Sequence, residues 1–300
     1  MPRELSESFL EDLTTGLLSP FYARVRRDSS LDLQIRDEYV NLYYRGCNLL
    51  RISKGRAGYV AFFDPQYLSG AGLTSSNLPD SSLSEPSRVQ DWLEVLPELK
   101  LSIDLFGPPE EREAQQQIVR ANNYGREARW SDFFICDIEY ANDHGRFDLV
   151  GVHWPSTSAV RKNEKDRRLV FIEAKHGNSA ISGHAGILQH ISDIESFAAD
   201  GAQLAAFKSE MCGVFNQKRA LNLIDCGRDL TAFDDQKPIV LLALVDHDPE
   251  KSALRSALRE LPPLKHVELQ VASSSFMGHA LFDPFMLSAE RVLESIEKGR

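Results

Sequence analysis

Long apolar runs are missing from this chain: the longest uninterrupted one in its 300 residues is Ile239–Val245. A bilayer-spanning helix needs about twenty such residues, so no membrane span is expected. The first residues, Met1 to Glu11, carry acidic side chains and no apolar signal core, which points away from secretion. Cysteine is scarce as well. Cys47, Cys136, Cys212 and Cys226 stand 89, 76 and 14 residues apart, with no CxxC pair. That spacing excludes a disulfide framework and a zinc finger, and reduced, mostly buried thiols in a cytoplasm are the expectation. Glycine and proline, at 18 and 14 residues, are too few for a collagen-like or wholly disordered chain. Positive charge is also short: 34 Lys and Arg against 44 Asp and Glu give a net charge of −10. Bulk attraction to nucleic acid draws on clustered bases, so a protein that merely coats nucleic acid is disfavoured. An enzyme with a local basic cleft and metal-binding carboxylates is not. What is present is an ordinary globular composition, 42% hydrophobic and 26% charged, on a chain long enough to bury a core.

The N-terminal stretch reads as one helix, with Leu5, Phe9, Leu13 and Leu17 every four residues and Pro20 closing it. The period then changes to two, and four short runs between residues 31 and 63 read as an antiparallel meander. Residues 69–88 hold seven serines, two glycines and two prolines and read as a linker or long loop. A helix follows, interrupted at Pro97. From Pro108 the expected order is helix (to about Asn123), strand (Phe133–Tyr140), strand (Phe147–Trp154) and strand (Leu169–Lys175). A long helix (Ile187 to about Met211) and a buried strand (Ile239–Val245) come next, then a strand near Val267–Val271 and a helix from about Leu287. These boundaries suggest a β-rich module over 1–68, a linker and connecting helix over 69–107, and a second domain over 108–300.

Three [D/E]xK triplets occur: Glu98-Leu99-Lys100, Asp235-Gln236-Lys237 and Glu173-Ala174-Lys175. Only the last ends an apolar strand, follows a strand bearing an acid (Asp148) and precedes a long helix. Glu173 and Lys175 are two apart on a strand, so both project from one face. A hairpin return brings Asp148 beside them, and two carboxylates converge next to an ammonium. Carboxylates at close range repel unless a cation lies between them. Mg²⁺ suits such a pair, because it takes one or two carboxylates and fills its other positions with water and phosphate oxygen. The ion acidifies a water and polarises a phosphodiester, and Lys175 orients the water or meets charge developing on the phosphate. The implied reaction is phosphodiester hydrolysis. The plain alternative is a surface ion pair around an exposed strand-end lysine.

Asp148, Glu173-Ala174-Lys175 and the element order resemble the PD-(D/E)XK nuclease superfamily, over residues 108 to about 246. The resemblance implies a mixed α/β (α+β) fold, with a restriction-endonuclease-like αβββαβ core beside the N-terminal antiparallel β-rich module. It implies metal ligation (Mg²⁺ or Mn²⁺) by Asp148, Glu173 and the Ala174 carbonyl, with Lys175 catalytic. It also implies an acid on the first core helix (Glu113, or Glu110 in its place) and a glutamine on the helix after the motif (Gln189). Phe147 stands where the family name has proline, and Asp193 stands where one exonuclease branch has tyrosine. The expected partner is nucleic acid, DNA foremost, with cleavage of the restriction, repair or defence type, and a homodimer is an expectation of the same kind. A catalytically inactive nuclease-like scaffold that binds nucleic acid or a protein is the rival. Arg161, Lys162, Lys165, Arg167 and Arg168, in the run 161–168, are weaker candidates for phosphate contact. The spacings of His176, His184 and His190 match no helical zinc pair; they read as solvated or supporting residues, and His176, beside Lys175, is the one to test.

Overall fold

The computed structural model describes residues 3–56, 58–124, 128, 130–142, 145–163, 166–178, 181, 186–248, 252–274 and 286–298. The chain divides into two compact units, Met1–Gln116 and Gln117–Arg300.

The first unit opens with helices α1 (Glu7–Thr14) and α2 (Ser19–Arg27). Five antiparallel strands follow in sequential order: β1 (Leu31–Arg36), β2 (Tyr39–Tyr44), β3 (Cys47–Gly55), β4 (Gly58–Phe62) and β5 (Ser82–Leu83). Helix α3 (Pro86–Phe106) comes next. Three expectations are corrected here. Pro20 opens α2 rather than closing one helix, since the first turn has no use for the missing N–H. The serine-rich segment is not a free linker: Leu83 is fully buried and pairs with Tyr59, and Trp92 Nε1 donates to the Asp80 carbonyl at 2.9 Å. Helix α3 runs unbroken through the exposed Pro97, because Trp92, Leu96, Leu99 and Ile103 bury a continuous stripe. That burial outweighs the cost of about 3 kcal/mol for an internal proline. Between β2 and β3 the two-residue turn Arg45-Gly46 has positive φ at both positions, 49° and 73°. This is the twist a tight hairpin needs, and a Cβ on Gly46 would collide with the Arg112 backbone.

Helix α4 (Glu110–Asn123) contains the division between the units. The second unit is a six-stranded mixed sheet of β6 (Phe133–Asn142), β7 (Gly145–His153), β8 (Arg168–His176), β9 (Ile239–Val245), β10 (Glu268–Ser274) and β11 (Leu287–Ser288). Its spatial order is β11-β10-β9-β8-β7-β6. Strands β6, β7 and β8 are antiparallel neighbours, β8–β9–β10 are parallel, and β11 returns antiparallel. Helices α5 (Ser158–Asn163), α6 (Ile187–Ala199), α7 (Gly201–Ala220), α8 (Leu254–Glu260) and α9 (Ala289–Lys298) complete it. The expected single helix over 187–211 is two. Asp200 breaks it and caps α7, accepting from Ala202 N at 3.1 Å and Gln203 N at 3.0 Å. One core joins the inner face of α6 (Ile187, Ile191, Ile194, Phe197) to Leu169 and Phe171 of β8. Phe147 belongs to this core, its ring 4.6 Å from that of Phe171. The outer edge of β6 is capped by side chains. Asn123 accepts from Ile135 N and donates to Ile135 O, both at 2.8 Å, and Lys218 Nζ donates to the Cys136 carbonyl at 3.0 Å. Among the described residues no helix is long and apolar enough to cross a membrane.

Candidate active site

The β7–β8 ladder pairs His153 with Arg168 at one end and Leu149 with Ile172 at the other, and there it stops. The next residues are Asp148 and Glu173. Beyond this point the Ala174 N–H finds no ladder carbonyl on β7; it donates instead to Asp148 Oδ2 at 3.0 Å. Strand β8 stays paired on its other side, Glu173 with Leu242 and Lys175 with Leu244 of β9. Asp148 thus replaces a backbone acceptor where the two strands part, and its carboxylate is fixed one residue from Glu173.

Leu169 and Phe171 point into the core under α6. Alternation carries Glu173 and Lys175 onto that same face, at the place where the apolar row gives out. Both are buried, Glu173 at 1% and Lys175 at 5% exposure, which corrects the expectation of an exposed lysine. Lys175 Nζ lies 2.9 Å and His190 Nδ1 3.2 Å from Glu173 Oε1. Both nitrogens are within hydrogen-bond distance of that buried oxygen. The Glu173 carboxylate holds the His190 imidazole above its ordinary pKa, outweighing the burial that lowers it.

Gln189 is exposed and donates to Asp193 Oδ1 at 2.7 Å, one turn along α6. Its neighbour His190 meets Glu173 instead. The reason is helical phase: Ile187, Ile191 and Ile194 set the buried stripe, position 190 borders it, and position 189 is on the far side. That stripe was legible in the sequence and would have pointed to His190. Glu113 is held in the first unit by a two-pronged pair with Arg45, Nε to Oε1 at 3.0 Å and a terminal nitrogen to Oε2 at 2.9 Å. Glu110 is exposed. His176 Nε2 pairs with Asp246 Oδ2 at 3.2 Å.

The basic run is largely spent on the fold. Arg161 donates to the carbonyls of Ser131 and Trp154. Arg167 is buried and donates to Thr231 Oγ1, and Arg168 donates to the Lys237 carbonyl and Glu268. Lys162 is exposed, while Lys165 and His184 lie outside the described residues.

No group of three His, Cys, Asp or Glu side chains among the described residues is arranged to hold a metal ion. A Mg²⁺-type ion asks less of the protein, one or two carboxylates and several waters. Asp148 and Glu173, side by side where β7 and β8 part, fit that smaller demand. No family model, no curated protein and no solved structure matches the chain.

Proposed function

We propose that this protein is a metal-dependent nuclease of the PD-(D/E)XK type, hydrolysing phosphodiester bonds in DNA. The observation that carries the reading is the meeting of Asp148, Glu173 and Lys175 where β7 and β8 part, with the glutamate and the lysine both buried. The order α4, β6, β7, β8, α6–α7, β9, with the short helix α5 inserted between β7 and β8, supports it, being close to the order that the resemblance implies. Asp148, Glu173 and the Ala174 carbonyl would hold Mg²⁺ or Mn²⁺. When bound, that ion supplies an acidified water and a polarised phosphodiester. Lys175, already against Glu173, holds its ammonium where charge develops on the phosphate. His190 braces the same carboxylate from α6. Cutting both strands of a duplex calls for two such sites, so a homodimer in the cytoplasm belongs to the proposal.

One observation favours the rival scaffold reading. Glu173 Oε1 already has two basic neighbours, Lys175 and His190, an arrangement that would satisfy a carboxylate no metal visits. Plasmid and linear DNA, single-stranded DNA and RNA, each incubated with and without Mg²⁺ or Mn²⁺, separate the two. Divalent-dependent cleavage lost in Glu173→Gln is the expected result. No cleavage of any substrate, or equal cleavage by the variant, favours the scaffold.

A further inference from the structure

In the first unit, a cavity of about 650 Å³ lies between α2 and the first turns of α3. Its size is that of a small-molecule site. Two arginines one helical turn apart, Arg24 and Arg27, form its cationic side, and Pro20, Ala23 and Leu93 give it an apolar floor. Arg24 keeps a buried Nε without a hydrogen-bond partner. Its terminal nitrogen reaches Asp28 Oδ2 at 3.3 Å. Arg27 is exposed.

Asp28 also lines the cavity, but its charge is already committed. Lys100 Nζ reaches it at 2.5 Å, and the Ser30 hydroxyl and N–H donate to it at 2.7 and 3.1 Å. Burial pushes the carboxyl up, yet these donors outweigh burial and bring its pKa down to about 2. With Lys100 offsetting Asp28, the two guanidinium groups give the cavity a net positive charge on a chain whose net charge is −10. A guanidinium fork matches phosphate oxygens two at a time, and the apolar floor accommodates a flat or aliphatic group beside them.

We infer that this cavity binds a phosphate-bearing small molecule of about nucleotide size, held by Arg24 and Arg27. The site belongs to the β-rich unit and does not depend on the nuclease reading.

The test is calorimetric titration of the full chain, in EDTA, with ATP, AMP and pyrophosphate, and with adenosine as the phosphate-free probe. EDTA keeps the Asp148–Glu173 region from contributing through a bound ion. Saturable binding of ATP or pyrophosphate below about 1 mM is expected, with none for adenosine. Arg24→Gln/Arg27→Gln should weaken it about tenfold or more, since it removes both charged donors to the phosphate. Arg56→Gln, on the exposed β3–β4 turn, should leave it unchanged. The double variant should fold, because it removes only a partly exposed helical ion pair, and its circular dichroism melt checks this. Absence of saturable binding, or binding by the folded double variant within about threefold of wild type, overturns the inference. Tighter binding of a single-stranded oligonucleotide than of ATP, lost in the same double variant, overturns it in favour of a nucleic-acid surface.

Discussion

Two charge clusters in this molecule have nearly the same ingredients and opposite finishes. In the first unit Arg45 joins Glu113 and Asp104 through bonds of 2.9–3.0 Å, and the side chains remain 26–38% exposed. Burial removes little from that arginine, and its two carboxylates hold its pKa above the ordinary value. In the second unit Glu173, Lys175 and His190 approach as closely, but Glu173 and Lys175 are buried. The first cluster is a finished piece of structure, and removing a member returns its partners to water. The second sits in a dry place, where a charge that loses its partner is expensive. Acidic and basic residues close together are therefore a weak sign of function; burial of the cluster is a better one.

The largest expected effect attacks that contrast directly. Lys175→Ala should destabilise the metal-free protein by about 3–5 kcal/mol, as removal of one partner from a buried pair does. Arg45→Ala should cost about 1 kcal/mol or less. Urea melts measure both, and Lys175→Met/Glu173→Gln should recover much of the first loss. Equal costs for the two single variants would erase the distinction between the clusters.

Next in size, Glu173→Gln should lower divalent-dependent cleavage by about 10²–10³-fold, the usual cost of one group that stabilises transition-state charge. Steady-state cleavage of labelled DNA reads it. Third, Mn²⁺ at about ten times its Kd should stabilise wild type by about 1.4 kcal/mol, with a much smaller gain in Asp148→Asn. Asparagine keeps an acceptor for the Ala174 N–H, so this variant removes charge while sparing the tie between strands. Equal shifts in thermal melts of the two proteins would mean that Asp148 is no ligand.

Fourth, the first unit has a pH signature of its own. The Asp28 pKa is depressed to about 2 from 3.8, so its contribution is fully present above about pH 4 and is lost as pH falls through 2. Asp28→Asn should be less stable than wild type at pH 5, and the gap should close toward pH 2. A gap that stays constant over that range would show that Lys100 does not select the ionised carboxylate. Smallest of all, Gln189→Ala and Lys237→Ala should change cleavage by less than about twofold, whereas His190→Ala should lower it about tenfold or more, as loss of a group that orients a ligand does. A damaging Gln189→Ala with a silent His190→Ala would place the wrong face of α6 against the site.

Much of the second unit was legible because buried strands announce themselves. Phe133–Tyr140, Leu169–Lys175 and Ile239–Val245 are apolar runs bounded by turns or charge, and each appears as a strand close to those limits. Helix breaks were read less well. Pro97 carries a strong local signal, yet α3 overrides it through its buried stripe, whereas Asp200-Gly201 carries a quiet one that breaks a helix. Side-chain destinations were hardest to read. Arg161 and Arg167 look like a solvated basic tip in sequence, but their guanidinium groups serve carbonyl and hydroxyl oxygens created by the fold. Asp148, Glu173 and Lys175 were found because strand alternation is a local rule. The pairing of Glu113 with Arg45 was not legible, because the two stand 68 residues apart.

The capped edge of β6 has a consequence for self-association. An edge strand with free N–H and C=O groups invites another strand to extend the sheet, which is a route to aggregates and to strand-swapped dimers. At Ile135 both groups are taken by one asparagine, Asn123, whose amide imitates a neighbouring backbone, and Lys218 covers the next carbonyl. The Ile138 N–H is turned onto Asp137 Oδ1, at 2.8 Å. An incoming strand finds this ladder already occupied along Ile135–Ile138. Over this stretch β6 is a poor template for sheet extension by another copy of the chain.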